Sequence, residues 1–308
     1  FLIVSRLFYI MIMLQKLKTY MLPIAMIVGA IFYKYVESVS FLTPYLIFSM
    51  LLITYCKLSL RNMNISPLHF WLLSIQIFGS LLVYYFLLPL DSMIAEGTFI
   101  CIFAPTATAA AVITGMLGGD IACLATYSLL SNMTVALTCP IIFSFMEAHG
   151  TMPFWESFLV ICKQMIPLLI LPFIAAIFLR KFFPKAHNAL QNRQSISFYM
   201  WAISLTIVMG KTVSFIINQG SGNIKEEILI ALFALIACIA QFVIGKWVGY
   251  KNNNLIAGGQ GLGQKNTVLA IWMALIYLHP LASIGPASYV VWQNSINSWQ
   301  LWKKQKRQ

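Results

Sequence analysis

The sequence predicts an all-α membrane protein: ten transmembrane helices arranged as two inverted five-helix repeats. Three observations predict it. Of 308 residues, 60% are hydrophobic and 9% are charged, whereas a soluble domain carries about a quarter charged residues. The apolar residues gather in ten runs close to the roughly 20 residues that cross a bilayer core. The segments between the runs alternate in charge, and that alternation sets an orientation.

The runs cover 20–36, 43–60, 67–89, 93–117, 120–146, 154–181, 195–217, 227–249, 253–278 and 283–302. An even number of spans returns the chain to its starting side. On that side fall Arg6, Lys16, Lys18, Lys57, Arg61, Arg180, Lys181, Lys185, Arg193, Lys246, Lys251, Lys303, Lys304, Lys306 and Arg307, with Asp120 as the one acid. The other side holds Lys34 with Glu37, then Asp91, Glu96, Glu147 and Glu156, and Lys225 with Glu226 and Glu227. Lys and Arg accumulate in the cytoplasm, so both termini are expected there, in a multi-pass protein of the cell inner (plasma) membrane.

The formal charge of +12 comes from 20 Lys and Arg against 8 Asp and Glu. In a soluble chain it would suggest nucleic acid; here it lies in loops, and no nucleic-acid partner is expected. Residues 1–14 are apolar without the small-residue cleavage site of a signal peptide. Segment 1–19 is therefore read as an imperfect start or an interfacial helix. Six cysteines stand singly in apolar runs with no CxxC spacing, so neither zinc nor a disulfide is assigned.

The two halves, 20–146 and 154–302, share features in order, with 303–308 left as a basic tail. Tyr45 precedes Lys57 by twelve residues, and Tyr199 precedes Lys211 by the same number. Spans 3 and 8 each carry a central glutamine, Gln76 and Gln241. Spans 4 and 9 each hold a break, at Ala104-Pro105-Thr106-Ala107-Thr108 and across Gly258-Gly259-Gln260-Gly261-Leu262-Gly263. Five spans is an odd number, so equivalent halves point in opposite directions. Inverted repeats with paired broken helices characterise secondary transporters, because unwound backbone survives at membrane depth only where protein or a wet cavity satisfies it.

At these breaks the sequence resembles the bile acid:sodium symporter family, including its bacterial members. The matching stretches are Ala104–Thr108, Gly263-Gln264-Lys265-Asn266-Thr267 with Leu269-Ala270, and Val291-Trp292-Gln293-Asn294-Ser295-Ile296. The resemblance covers spans 2–10. It implies a panel domain of helices 20–60 and 154–217, a core domain of helices 67–146 and 227–302, and a substrate beside two crossing unwound helices. Members carry organic anions, from bile acids to small carboxylates, together with sodium. The family's first sodium site falls on Ala110, Ala111, Leu124 and Ser128, and its shared glutamate on Gln260. The second site falls on Gln76, Gln264 and the same Gln260, with carbonyls around Gly261 and Gly263. Lys265 stands where the family has an asparagine.

Sodium needs several oxygen ligands and, in a low-dielectric core, a compensating negative charge. Alanine and leucine supply no side-chain oxygen, and a lysine repels the ion. The expectation is a divergent member that moves an organic anion by alternating access, without sodium, Lys265 replacing the sodium charge. Thr106, Thr108, Lys265, Asn266 and Asn294 are the candidate substrate contacts. The half-helix N-termini near Thr106 and Lys265 favour an anion. Lys265 could itself carry a coupling proton, or transport could be facilitated diffusion.

The alternative is a sodium symporter retaining Gln76, Gln260 and Gln264. Gln76, Gln241, Gln264 and Asn132 read as braces of the crossing, a reading that Asn294 shares. Lys211 reads as a snorkelling residue, Lys163 as an anchor or a cavity cation, and His69 as a solvated helix-start residue. An enzyme is not expected, because HExxH, GxSxG and paired aspartates are missing from the sequence. A non-transporting sensor is a further alternative. No cofactor is expected beyond the sodium in question, and the protein is expected to act as a monomer in the bilayer.

Overall fold

The computed structural model describes residues 21, 23–58, 63–107, 109–147, 153–219 and 224–306. The N-terminal segment 1–19, Arg61, Thr108 and Arg307 lie outside the described residues. Helices follow one another along the chain, and no strand occurs among the described residues beyond one isolated bridge. Six of the described helices are long and apolar enough to cross a membrane: Ser40–Lys57, Pro67–Leu87, Ile121–Met146, Phe154–Phe182, Ile196–Asn218 and Ile224–Lys251. They turn large apolar side chains outward, as Leu82, Phe86 and Val243 do, where lipid rather than protein covers them. The protein is an all-α membrane protein.

Helix α1 (23–31) leads through a turn at Phe32 into α2 (Tyr33–Glu37), and a 3-10 turn then opens α3 (Thr43–Lys57). α4 (Pro67–Ser74) and α5 (Ser80–Leu87) are joined by a π turn, Ile75–Gly79, that carries Gln76. α6 (Ser92–Phe103) and α7 (Ala110–Leu117) form one broken pair, and α8 (Ile121–Glu147) follows. Pro167 and Pro172 interrupt the next run, which is continuous apolar sequence. Proline removes a helical N–H and clashes with the preceding turn, so the run divides at Ile170 into α9 (Phe154–Leu169) and α10 (Leu171–Phe182). α11 (Pro184–Gln191), α12 (Gln194–Gln219) and α13 (Ile224–Lys251) come next. The second broken pair is α14 (Leu255–Gly263) with α15 (Thr267–Tyr277), and α16 (Ile284–Gln305) closes the described chain.

α12 packs on α2 and α3, and α10 on α3 and α9, as one group. A second group holds α13 against α14, α16 and α6, with α5 on α6 and α7 on α8, and close packing of α8 along α9 joins the two groups. Stacked and edge-on rings hold the middle of the second group. Phe99 and Phe103 stack at 5.1 Å, Phe143 meets Phe103 at 5.8 Å, and Tyr277 stacks on Phe143 at 5.5 Å. Such pairs add about 0.5–1.5 kcal/mol each beyond burial, and these fix the C-terminal end of α6.

The structure departs from two sequence expectations. The glycine run does not form the second break: Gly258 to Gly263 are helical, in α14. The glycines serve close approach instead. A Cβ on Gly258 would collide with the backbone of Gly245, and one on Gly263 with the Phe242 ring. His69 is not solvated but 1% exposed. Its Nδ1 accepts the Ser66 N–H at 2.9 Å, which leaves Nε2 to donate to the Cys123 carbonyl at 3.0 Å, so one imidazole caps α4 and ties it to α8.

Candidate functional site

The first break follows from one residue. Pro105 disfavours the helical region for its predecessor, and Ala104 accordingly turns extended, at φ −50° and ψ 144°. The second break lies at Gln264-Lys265-Asn266, where Gln264 is extended (φ −106°, ψ 102°) and the Asn266 carboxamide accepts the Leu269 N–H at 3.3 Å to start α15. The two unwound segments cross and pair. Thr106 and Lys265 face each other in an antiparallel bridge, with Ala107 N–H donating to Gln264 at 2.9 Å and Asn266 N–H to Pro105 at 2.8 Å.

A helix leaves its last carbonyls without internal partners, and each one buried unpaired costs about 1–3 kcal/mol. At the end of α6 every such carbonyl from Ile100 to Pro105 is paired. Ile100 takes the Ala104 N–H, Cys101 takes Gln241 Nε2 at 3.2 Å, and Ile102 takes Lys265 Nζ at 2.7 Å. Phe103 and Ala104 share Gln76 Nε2 at 2.8 and 3.2 Å, and Pro105 takes Asn266. The Lys265 ammonium thus sits on the C-terminal end of α6, the end that attracts a cation, with the residue only 1% exposed.

α14 ends in the same way. Gly261 accepts Thr106 Oγ1 at 2.8 Å, Gly263 accepts the Tyr289 hydroxyl at 2.9 Å, and Lys265 accepts Gln293 Nε2 at 3.3 Å. Neighbouring helices hold the amides of the crossing as well. Ser131 Oγ accepts the Thr106 N–H at 3.2 Å, and Gln293 Oε1 accepts the Lys265 N–H at 2.8 Å. Gln76 Oε1 in turn accepts from Tyr127 at 2.9 Å and from Ser131 at 2.8 Å. Gln76 is saturated: an amide oxygen has two lone pairs, and both are taken.

The other candidates are distributed around this centre. Ala110 is buried with Leu124 and Ala257 in an apolar cluster that Ala111 packs against. Ser128 is half-buried, and its carbonyl accepts Asn132 Nδ2 at 2.7 Å within α8. Asn294 is likewise half-buried and donates to Val290 of its own helix at 2.6 Å, while its neighbour Gln293 faces the crossing. Gln260 Nε2 donates to Asn297 at 3.0 Å, and the amide oxygens of Gln260 and Gln264 are buried without a partner. Lys163 is exposed on α9 and Lys211 half-buried on α12. Tyr127, Ser131 and Tyr289 are not marked by any motif in the sequence, and Gln293 appears there only within the matching stretch 291–296. Their one signal is polarity inside apolar helices, which many lipid-buried hydroxyls share.

No family model matches the chain, and no curated protein matches it.

Chemically, the arrangement has two ends of opposite character. The C-terminal ends of α6 and α14 are covered by donors, one of them the Lys265 Nζ. The N-terminal ends of α7 and α15 begin on the far side of the same bridge and present positive helix dipoles. Amide groups at such ends suit carboxylate or phosphate oxygens.

Proposed function

We propose that this chain is a divergent member of the bile acid:sodium symporter family, with ten membrane spans in two inverted repeats. In this reading it carries an organic anion by alternating access without sodium. The observation that carries it is the Lys265 ammonium on the Ile102 carbonyl, at 2.7 Å. A bound cation at that helix end would neutralise the same carbonyl charge, and the chain supplies one covalently.

The bonds at the crossing support equivalence of the halves. Thr106 and Lys265 are 159 positions apart, and so are the two carbonyls they reach, Ile102 and Gly261. Ser131 and Gln293, which accept the two bridge amides, are 162 apart, as are Tyr127 and Tyr289, the tyrosines bonded to Gln76 and Gln241. An antiparallel bridge has a local two-fold axis, the relation that an inverted repeat demands. Against sodium stand the apolar cluster at Ala110 and Leu124 and the saturated oxygen of Gln76. One observation favours the alternative, a sodium symporter: the unpartnered buried oxygens of Gln260 and Gln264 offer two neutral ligands.

The test is a thermal-shift screen of organic acids on the purified protein in sodium-free buffer, repeated on Lys265→Asn. At least one carboxylate should stabilise the native chain and lose that effect in the variant. Anion stabilisation that survived the substitution unchanged would remove Lys265 from the mechanism.

A further inference from the structure

Away from the crossing, the ends of α13 and α16 repeat one pairing. Trp247 precedes Lys251 by four residues, Trp299 precedes Lys303, and Trp302 precedes Lys306. A step of four places two side chains on the same helix face. Each ammonium accordingly lies over its indole, 3.9, 5.0 and 4.1 Å from the ring centre. The indoles remain 58%, 51% and 51% exposed, so ring and charge are presented outward together. α13 packs along α16, which brings Lys246 within electrostatic reach of Lys303. Like charges held that way repel unless an anion lies between or beside them.

The neighbours do not supply that anion. Asp120 is the acid at this end among the described residues, and it forms no ion pair with their lysines; its Oδ1 accepts the Cys123 N–H at 3.0 Å at the start of α8. Lys304 is already used, since its Nζ donates to the Met116 carbonyl at 3.0 Å and closes the C-terminal end of α7. Among the described residues at this end, Lys246, Lys251, Lys303 and Lys306 are the cations left to a partner. They stand at the end of apolar helices, beside amphipathic rings of the kind that settle at the headgroup level of a bilayer.

We propose that this end of the α13–α16 pair binds the phosphate headgroup of an anionic phospholipid. The lysines hold the phosphate and the indoles lie against the glycerol and the first acyl carbons. A free phosphate would use the charges but not the exposed rings; the lipid uses both.

The test uses the full chain, purified and delipidated, with lipid binding followed by native mass spectrometry. Phosphatidylglycerol should bind and phosphatidylcholine should not, and glycerol 3-phosphate should not displace the lipid. In a Lys251→Gln/Lys303→Gln/Lys306→Gln variant the affinity for phosphatidylglycerol should fall by about five-fold per lysine removed. The three Lys→Arg replacements should retain it, because charge and ring contact persist. A Lys34→Gln/Lys225→Gln variant, altered at other helix ends, should bind as the native chain does. Equal binding of the two lipids, native affinity in the glutamine variant, or equal losses with arginine would each overturn the proposal. Displacement by glycerol 3-phosphate would replace it with a soluble-anion site.

Discussion

Thr106 and Lys265 face each other across the crossing, and each sends its side chain to a carbonyl of the other's preceding helix. The hydroxyl reaches Gly261 and the ammonium reaches Ile102. The two bonds are alike in geometry and unlike in charge. The Thr106 bond only satisfies a carbonyl, whereas Lys265, when protonated, also places a charge at the end of a helix that attracts a cation. That asymmetry is what the proposed sodium-independent transport rests on.

Gln76 joins α6 to α8 through four bonds, so Gln76→Leu strands two carbonyls and two hydroxyls. We expect a loss of about 3 kcal/mol, read as denaturant unfolding in detergent. Tyr127→Phe removes a single interhelical bond and should cost about 0.6 kcal/mol. Equal effects from the two variants would mean that Gln76 does not organise the crossing.

Close backbone approach gives a second prediction. Gly258→Ala drives a methyl into the Gly245 backbone, which cannot yield as a flexible side chain would, and should destabilise by about 1–3 kcal/mol. Gly79→Ala meets only Ile75 Cγ2, at 3.7 Å. Thermal unfolding should show it neutral or slightly stabilised, because alanine restricts the unfolded chain.

Polar contacts also join the two helix groups. The Tyr277 hydroxyl donates to Gln164 Oε1 at 2.6 Å, and Thr212 and Ser283 share a hydrogen bond at 3.1 Å. If the groups rock against each other, these contacts must open in each cycle. Cysteines at Gln164 and Tyr277 joined by a short bifunctional maleimide should halt anion uptake into proteoliposomes. Undiminished uptake by the cross-linked protein would exclude that motion.

His279 lies between α15 and α16, where burial holds its imidazole below the ordinary value of 6.5 despite Asp91 nearby. Its Nδ1 accepts the Leu281 N–H at 3.3 Å, a role open only to the neutral ring. A lowered folded value means the folded state binds fewer protons than the unfolded chain. This contribution to stability is complete above pH 6.5 and is lost as pH falls below it. His279→Asn keeps a capping acceptor without titrating. The difference in melting temperature between native protein and variant should therefore move against the native protein below pH 6.5.

The sequence carried the membrane class in plain view, since apolar run lengths and charge placement are properties of the chain itself. Pro105 and Lys265 were legible for the same reason: a proline breaks a helix and a buried lysine is costly wherever they occur. Glycine is ambiguous, because it serves both unwinding and close packing, and the run from Gly258 to Gly263 proved to pack. The α8 and α16 contacts were hidden by register. Ser128 and Ser131, or Gln293 and Asn294, differ only in which face of a helix they occupy, and packing decides that. His69 stood in for the acid or amide that usually completes a capping box with Ser66, so its burial had no familiar signature.

The most direct measurement is thermal unfolding of the native protein and Lys265→Asn with sodium exchanged for choline at constant ionic strength. A ligand that binds only the folded state raises the melting temperature as its concentration grows. The native midpoint should be the same in both salts, and the Lys265→Asn variant, with the Ile102 carbonyl left without its partner, should melt lower than the native protein in both. A native protein stabilised by sodium over choline would contradict a built-in lysine cation and favour a site at Gln260 and Gln264.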